Sequence, residues 1–241
     1  QGSLEAGSVF SKVVEQGHGG NCFELNSLFA RLLLSFGYQV EVRCARIRWA
    51  VPVDAPITPV DHMVLCVSID EKAKDGPQGR FLVDVGFGGP SPRRALPLHG
   101  DAYPYRLRTV DEDWAKPIEV SIRCQLERRG GNSCWFPLYQ VFAYSHEWPD
   151  FVDKSWYFAT YPGIVFRDVL AASRYDGNCW LTLRNKKLTN RLCDSNGLGD
   201  VVEQRCVQDI DAFISLLECE LKVKLDPCLV KEKLFSRVQH K

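Results

Sequence analysis

Residues 62–87, HMVLCVSIDEKAKDGPQGRFLVDVGF, decide the fold, because they place two β-rich runs, 62–69 and 80–87, on either side of a charged connection containing glycine and proline. A connection of that composition reads as a hairpin turn, which makes the two runs antiparallel neighbours in a sheet. With the turn centred near residue 75, His62 lies roughly opposite residue 88 and Asp84 falls within a few residues of it, on the paired strand. An aspartate inside FLVDVGF (81–87) needs a partner, since a carboxylate is costly to bury unless it is paired or hydrogen-bonded. The histidine opening the neighbouring strand supplies one.

Upstream, GHGGNCFELN (17–26) sets Cys22 directly after a glycine-rich turn and directly before a helical run. Phe23, Leu25, Leu28, Phe29, Leu32, Leu33 and Phe36 recur at helical spacing, with Asn21 as N-cap and Gly37 beyond the C-terminus. The breadth of that apolar face predicts a buried helix needing cover on both sides. Between helix and hairpin, YQVEVRCARI (38–47) alternates as a half-buried strand, and the prolines of VPVDAPITPV (51–60) make a loop. Downstream, GFGGPSPRRALPL (86–98) is a loop, and IEVSIRCQL (118–126), CWFPLYQVF (134–142) and CWLTLRN (179–185) are strands. DIDAFISLLECELKV (209–223) is a helix. Helix, strands, helix, without repeats, is an α+β organisation with an antiparallel sheet or barrel behind the helix that carries the thiol.

Composition excludes several function classes. The 241 residues are 45% hydrophobic and 25% charged with a formal net charge of zero, an ordinary globular balance. Such a chain carries no electrostatic footprint for nucleic acid or an anionic membrane, so the expected partners are small molecules. Its ten cysteines form no CxxC pair and no Cys/His grouping of zinc spacing, so no metal is expected. Cys44, Cys66, Cys124 and Cys179 fall in strand-like runs where a reduced thiol packs as a small hydrophobe, the usage of a reducing cytoplasm. No signal-like leader opens the chain, and no apolar run approaches the roughly 20 residues of a membrane span.

A cysteine becomes a nucleophile with an imidazole to hold its proton and a carboxylate to orient that imidazole. A helix N-terminus adds a partial positive charge that favours a thiolate. Cys22, His62 and Asp84 form such a set. Singly, each has another reading: Cys22 as a small core residue, His62 as a hydrogen-bonded strand histidine, Asp84 as a cap on the turn of Gly86, Gly88 and Gly89. Asp61 is the rival orienter, but as the neighbour of His62 along a strand it points to the other face.

GGNCFELN (19–26), HMVLCVSI (62–69) and FLVDVGFG (81–88) together resemble the arylamine N-acetyltransferase family, whose pattern is Arg-Gly-Gly-x-Cys, a later strand histidine and Val-Asp-(Val or Ala)-Gly-Phe-Gly. The resemblance continues through ALPL (95–98), YQVFAYSHEWPDF (139–151) and WYFATYPGIVFRDVLAASR (156–174) to the final helix. It implies a helical bundle, of which residues 1–37 would be the remnant, a β-barrel over 38–150, an α/β lid over 151–241, and a papain-like or transglutaminase-like catalytic core. The implied chemistry is ping-pong transfer of an acyl group from acetyl-CoA, or from malonyl-CoA or another acyl-CoA, through a Cys22 thioester to an arylamine or arylhydrazine. The resemblance gives Phe87 the wall of the acceptor pocket and brings the Gly86, Gly88 and Gly89 loop to the coenzyme A pyrophosphate. Two rival readings are a transglutaminase-like cysteine hydrolase and a silent homologue that keeps the triad as a binding protein. Acceptor, donor and oligomeric state stay open. Position 18 is histidine where the family pattern has arginine, a departure that bears on the hydrogen bonds holding the active-site turn. Only sixteen residues precede Gly17, so the chain is expected to be a fragment or degraded isoform, weakly stable and poorly active.

Overall fold

The computed structural model describes residues 3–52, 54–69, 79–99, 102–109, 118–124, 134–162, 164, 169–195 and 197–235. A short helix α1 (Ala6–Phe10) runs into a wider π-helical turn (Ser11–Glu15), and α2 (Cys22–Ser35) follows. Seven strands come next: β1 (Gln39–Ile47), β2 (His62–Ile69), β3 (Gly79–Val83), β4 (Leu96–Pro97), β5 (Tyr105–Thr109), β6 (Ile118–Cys124) and β7 (Cys134–Val141). After α3 (Pro149–Thr160) come β8 (Ala171–Asp176), β9 (Cys179–Arg184), β10 (Lys187–Asp194) and β11 (Gly197–Cys206). The described chain closes with α4 (Ile210–Ser215), a π-helical turn (Leu216–Glu220), and α5 (Pro227–Leu229) extended by Val230–Phe235.

The eleven strands form one sheet in the order β4-β3-β2-β1-β7-β6-β11-β10-β9-β8, with β5 also paired to β6. It is a nearly closed barrel whose pairings are antiparallel except at β6 and β11, which meet in parallel at Leu198 and Cys124. The strands expected in a lid thus continue the sheet that carries the site. Among the described residues no helix is long and apolar enough to cross a membrane.

The central hairpin follows the expected pairing, with a small shift. The ladder runs from Ile69↔Gly79 to Leu65↔Val83, so its centre is residue 74, midway between Ile69 and Gly79; the connection 70–78 lies outside the described residues. β3 stops at Val83, which corrects the placement of Asp84 inside the strand. Asp84 sits just beyond the ladder, where its side chain accepts a hydrogen bond from the Gly86 N–H and turns the chain.

β1 is also more deeply placed than a half-buried strand. It pairs with β2 on one side and β7 on the other, and Val42, Arg43, Cys44 and Ala45 are buried in succession. Both of its faces are covered: Val42 and Cys44 join Phe23, Met63, Leu65 and Val67 against α2, while Ala45 and Val64 join Leu138, Tyr139, Trp180 and Leu198 in the barrel interior. A third cluster packs Leu181, Leu183 and Leu188 of β9 and β10 against Phe213, Leu216, Leu217 and Phe235 of the C-terminal helices.

The buried stripe of α2 is not the leucine face. Phe23, Glu24, Asn26, Ser27 and Ala30 are buried, whereas Leu32 and Phe36 are exposed, as are Phe10 and Val14. The helix turns polar residues inward because it faces a polar site.

Candidate active site

The start of α2 is held by a reciprocal cap. Asn21 Oδ1 accepts from the Glu24 N–H at 3.1 Å, and Glu24 Oε2 accepts from the Asn21 N–H at 2.9 Å. Two of the donors that a helix start leaves open are thereby satisfied, and Cys22 is fixed as the first helical residue. The turn leading in needs left-handed backbone at Gly17 and Gly19, with φ of 68° and 70°.

His62 begins β2 with no solvent exposure, and its Nε2 lies 2.7 Å from Asp84 Oδ2. Burial pulls the imidazole pKa down, but the charge and hydrogen bond of Asp84, with a smaller contribution from Cys22, outweigh it and raise the value to about 10. The other ring nitrogen, Nδ1, is buried and has no nitrogen or oxygen partner, which leaves it to address the Cys22 thiol. That half-buried thiol also lies 3.9 Å from the Asp61 carbonyl oxygen.

Asp84 is wholly buried beneath the imidazole. Burial would raise its pKa, yet His62, followed by hydrogen bonds from Asn26 and the Gly86 N–H, brings it below the ordinary value. Asn26 Nδ2 donates to Asp84 Oδ1 at 3.0 Å and to the Met63 carbonyl at 2.7 Å, while its Oδ1 accepts from the Val85 N–H at 3.0 Å. One side chain, a helical turn beyond Cys22, thus ties α2 to β2 and to the Asp84 loop. Asp61 is occupied elsewhere: its carboxylate accepts from the Ile47 N–H at 3.0 Å, and burial is the main cause of its raised pKa.

Two residues that the sequence reading passed over belong here. Asn26 shows itself only as an amide inside an apolar helix, four residues after the thiol. Tyr139 of β7 is fully buried, its ring 5.2 Å from His62 and 5.0 Å from Phe87. Burial first, then the Asp84 charge, hold its phenol well above the usual range. Phe87 meets the imidazole edge-on at 5.4 Å, so two aromatic rings wall His62.

The glycines divide by role. A Cβ on Gly86 would stand 2.6 Å from Cys22 Cα and 2.9 Å from Asn26 Nδ2, so this glycine lets the Asp84 loop lie against the Cys22 turn. A Cβ on Gly89 would stand 2.5 Å from the Phe87 ring. Gly88 takes φ of 70° near the Ser173 hydroxyl. Among the described residues no cluster of three histidines, cysteines or carboxylates is grouped for a metal, and the thiols of Cys22, Cys44, Cys66, Cys134, Cys179, Cys193, Cys206, Cys219 and Cys228 are free.

The chain is similar in sequence and fold to known proteins. Residues 1–230 match the profile of a family described as N-acetyltransferase. An arylamine N-acetyltransferase of Mycolicibacterium smegmatis is 34% identical over 191 residues, covering 77% of this chain and 64% of the relative's length. The solved M. smegmatis arylamine N-acetyltransferase superposes with a TM-score of 0.80 at 27% identity, covering 99% of this chain and 81% of that one. A Mycobacterium marinum arylamine N-acetyltransferase in complex with CoA shares the fold, with a TM-score of 0.81 at 24% identity over 99% of this chain and 82% of that one.

Proposed function

The chain belongs to the arylamine N-acetyltransferase family, and from that membership we propose that it moves an acyl group from coenzyme A to an arylamine or arylhydrazine through a thioester on Cys22. The observation that carries this reading is the buried His62, hydrogen-bonded through Nε2 to Asp84 and open through Nδ1 toward a thiol at a capped helix start.

In the first half-reaction the Cys22 sulfur, with its proton already held on His62 Nδ1, attacks the acyl carbonyl of acyl-CoA. The tetrahedral intermediate collapses with loss of the coenzyme A thiolate, which takes the proton back from the imidazolium. In the second, the amine attacks the thioester carbonyl and gives its proton to His62 as the C–S bond breaks and the amide forms. The cap uses the N–H groups of Asn21 and Glu24, so the helix start offers those of Cys22 and Phe23 to the oxyanion. Asp84 stabilises the imidazolium without accepting its proton, the division of labour of a nucleophilic triad. Phe87 and Tyr139 keep water from the ring, and half-buried Phe87 presents its ring to an aromatic acceptor. Gly88 and Gly89 form the part of the loop that the coenzyme A pyrophosphate would approach, because the Gly86 N–H is already used by Asp84.

Intact mass spectrometry after incubation with acetyl-CoA, malonyl-CoA and longer acyl-CoAs tests the proposal. The expected product is one acyl group on Cys22, absent in Cys22→Ala and discharged by an arylamine or arylhydrazine. An adduct lost equally fast to water would indicate a hydrolase. No adduct with any donor would leave a binding protein.

A further inference from the structure

The Glu24 carboxylate, which anchors the Cys22 turn, is itself anchored from outside the helix. Its side chain is 1% exposed, and both of its oxygens accept from Lys12 Nζ, at 2.7 and 2.9 Å. Lys12 belongs to the π-helical turn Ser11–Glu15 and is half-exposed, with its own carbonyl accepting from the His18 N–H at 3.0 Å. Lys12 therefore holds both ends of the cysteine turn: the entry through its backbone, the exit through Glu24. The side chain at position 18 is exposed, so Lys12, not His18, supplies the cation for this carboxylate.

We propose that Lys12 is a positioning residue for Cys22, acting through Glu24 to fix the first helical turn and to cancel a negative charge two residues from the sulfur. This rests on the reading of Cys22 as the nucleophile. An unpaired buried carboxylate is strongly unfavourable, so without Lys12 the Glu24 side chain swings toward water and releases the Asn21 N–H. The turn has little freedom to compensate, because a Cβ on Gly20 would already stand 3.1 Å from Glu24 Cβ and 3.2 Å from its Oε2. A carboxylate left ionised beside Cys22 would also oppose the negative charge that the sulfur must carry. The other charged groups at the turn are His62 and Asp84 below the sulfur and Asp61 beyond it. Lys224 packs its aliphatic stem on Gly17 and donates its backbone N–H to the Gly17 carbonyl.

The test is iodoacetamide alkylation of the whole chain at neutral pH, resolved by peptide mass spectrometry. Exposed Cys206 is the reference thiol, and the protection of buried Cys44 and Cys66 reports folding in the same sample. The expected loss in Cys22 rate for Lys12→Met is between about ten- and a hundredfold, the scale of misplacing a reacting group by an ångström or less. Lys12→Arg restores the rate. Lys12→Met combined with Glu24→Gln recovers part of it, because no unpaired carboxylate remains. If Lys12→Met exposes Cys44 and Cys66, the same comparison is made with Lys12→Gln. A fast wild-type Cys22 that is unchanged by removing the lysine, or not rescued by Lys12→Arg, overturns the positioning role alone. A wild-type Cys22 no faster than Cys206 overturns the nucleophile reading and the Lys12 role with it.

Discussion

Burial by itself strips an imidazole of its charge. At His62 the Asp84 carboxylate reverses that outcome, and the pH dependence of stability follows in sign. The imidazole pKa is raised from 6.5 to about 10 in the folded chain, so its contribution is complete below 6.5 and fades as pH climbs toward 10. Asp84 is lowered from its ordinary 3.8, so its contribution is present above that value and is lost as pH falls beneath the folded value. Thermal unfolding of wild type and Asp84→Asn should therefore differ most between about pH 4 and 6.5 and converge toward pH 10. A gap that widens with rising pH would mean that His62 is neutral in the fold. In acyl transfer, Asp84→Asn is expected to lose on the order of a thousandfold or more in turnover, whereas Asp61→Asn keeps its hydrogen bond with Ile47 and most of its activity. Reversal of those two results in a steady-state assay would make Asp61 the orienter. The candidate triad was readable because each member broke a local pattern: a thiol after glycines, and a carboxylate among valines. Asn26 and Tyr139 broke none. An amide in a helix and a tyrosine in a strand acquire their significance from partners 58 residues away for Asn26 and two strands over, on β2, for Tyr139.

At the scale of elements, α2 shows what periodicity reveals and what it hides. Its limits were legible from Asn21 and Gly37, since a cap and a left-handed stop are local chemistry. Its buried face was not. The helix carries five leucines, yet its buried residues are Phe23, Glu24, Asn26, Ser27 and Ala30, the polar three selected by the Asp84 loop and by β2. The strands β5, β8, β10 and β11 were likewise unannounced, because polar and charged residues interrupt their alternation; only Leu188 and Cys193 of β10 are buried, for example. The contact between α2 and the loop after β3 yields a sharp prediction. Gly86→Ala puts a methyl group 2.6 Å from the Cys22 backbone, which cannot yield as a flexible side chain would. The fold should survive at a cost of about 1–3 kcal/mol, while thioester formation falls steeply as the helix start is pushed away from His62. Gly7→Ala, where a Cβ meets nothing within 4 Å, is the control. Circular dichroism with the acyl-CoA mass assay separates the two effects, and an active Gly86→Ala would show that the loop adapts.

Over the whole molecule, the C-terminal strands lie between two cores, and alternation along β9 assigns them. Leu181 and Leu183 face the C-terminal helices, while Trp180 points the other way into the barrel interior. There it meets Trp49 edge-on at 6.3 Å, and Trp49 meets Phe136 of β7 at the same distance. Among the described residues, backbone pairing between the two halves of the sheet is the parallel contact at Leu198 and Cys124, and side-chain packing adds to the coupling. Trp180 is 5% exposed, and Trp180→Ala should cost about 3–5 kcal/mol, the range for deleting a large buried aromatic side chain. Because the loss falls in the barrel interior and not within the C-terminal cluster, that cluster keeps its own packing and the change acts on cooperativity. Wild type is expected to unfold in one transition, with tryptophan fluorescence and far-ultraviolet circular dichroism coincident in urea. In Trp180→Ala the two probes should separate, and hydrogen exchange should quicken across the β6–β11 junction before it does in β1 and β2. Coincident transitions at unchanged midpoint would place the coupling elsewhere, with Cys193, Leu198 and the half-buried Tyr175, which also pack on the barrel cluster, as further contacts to test.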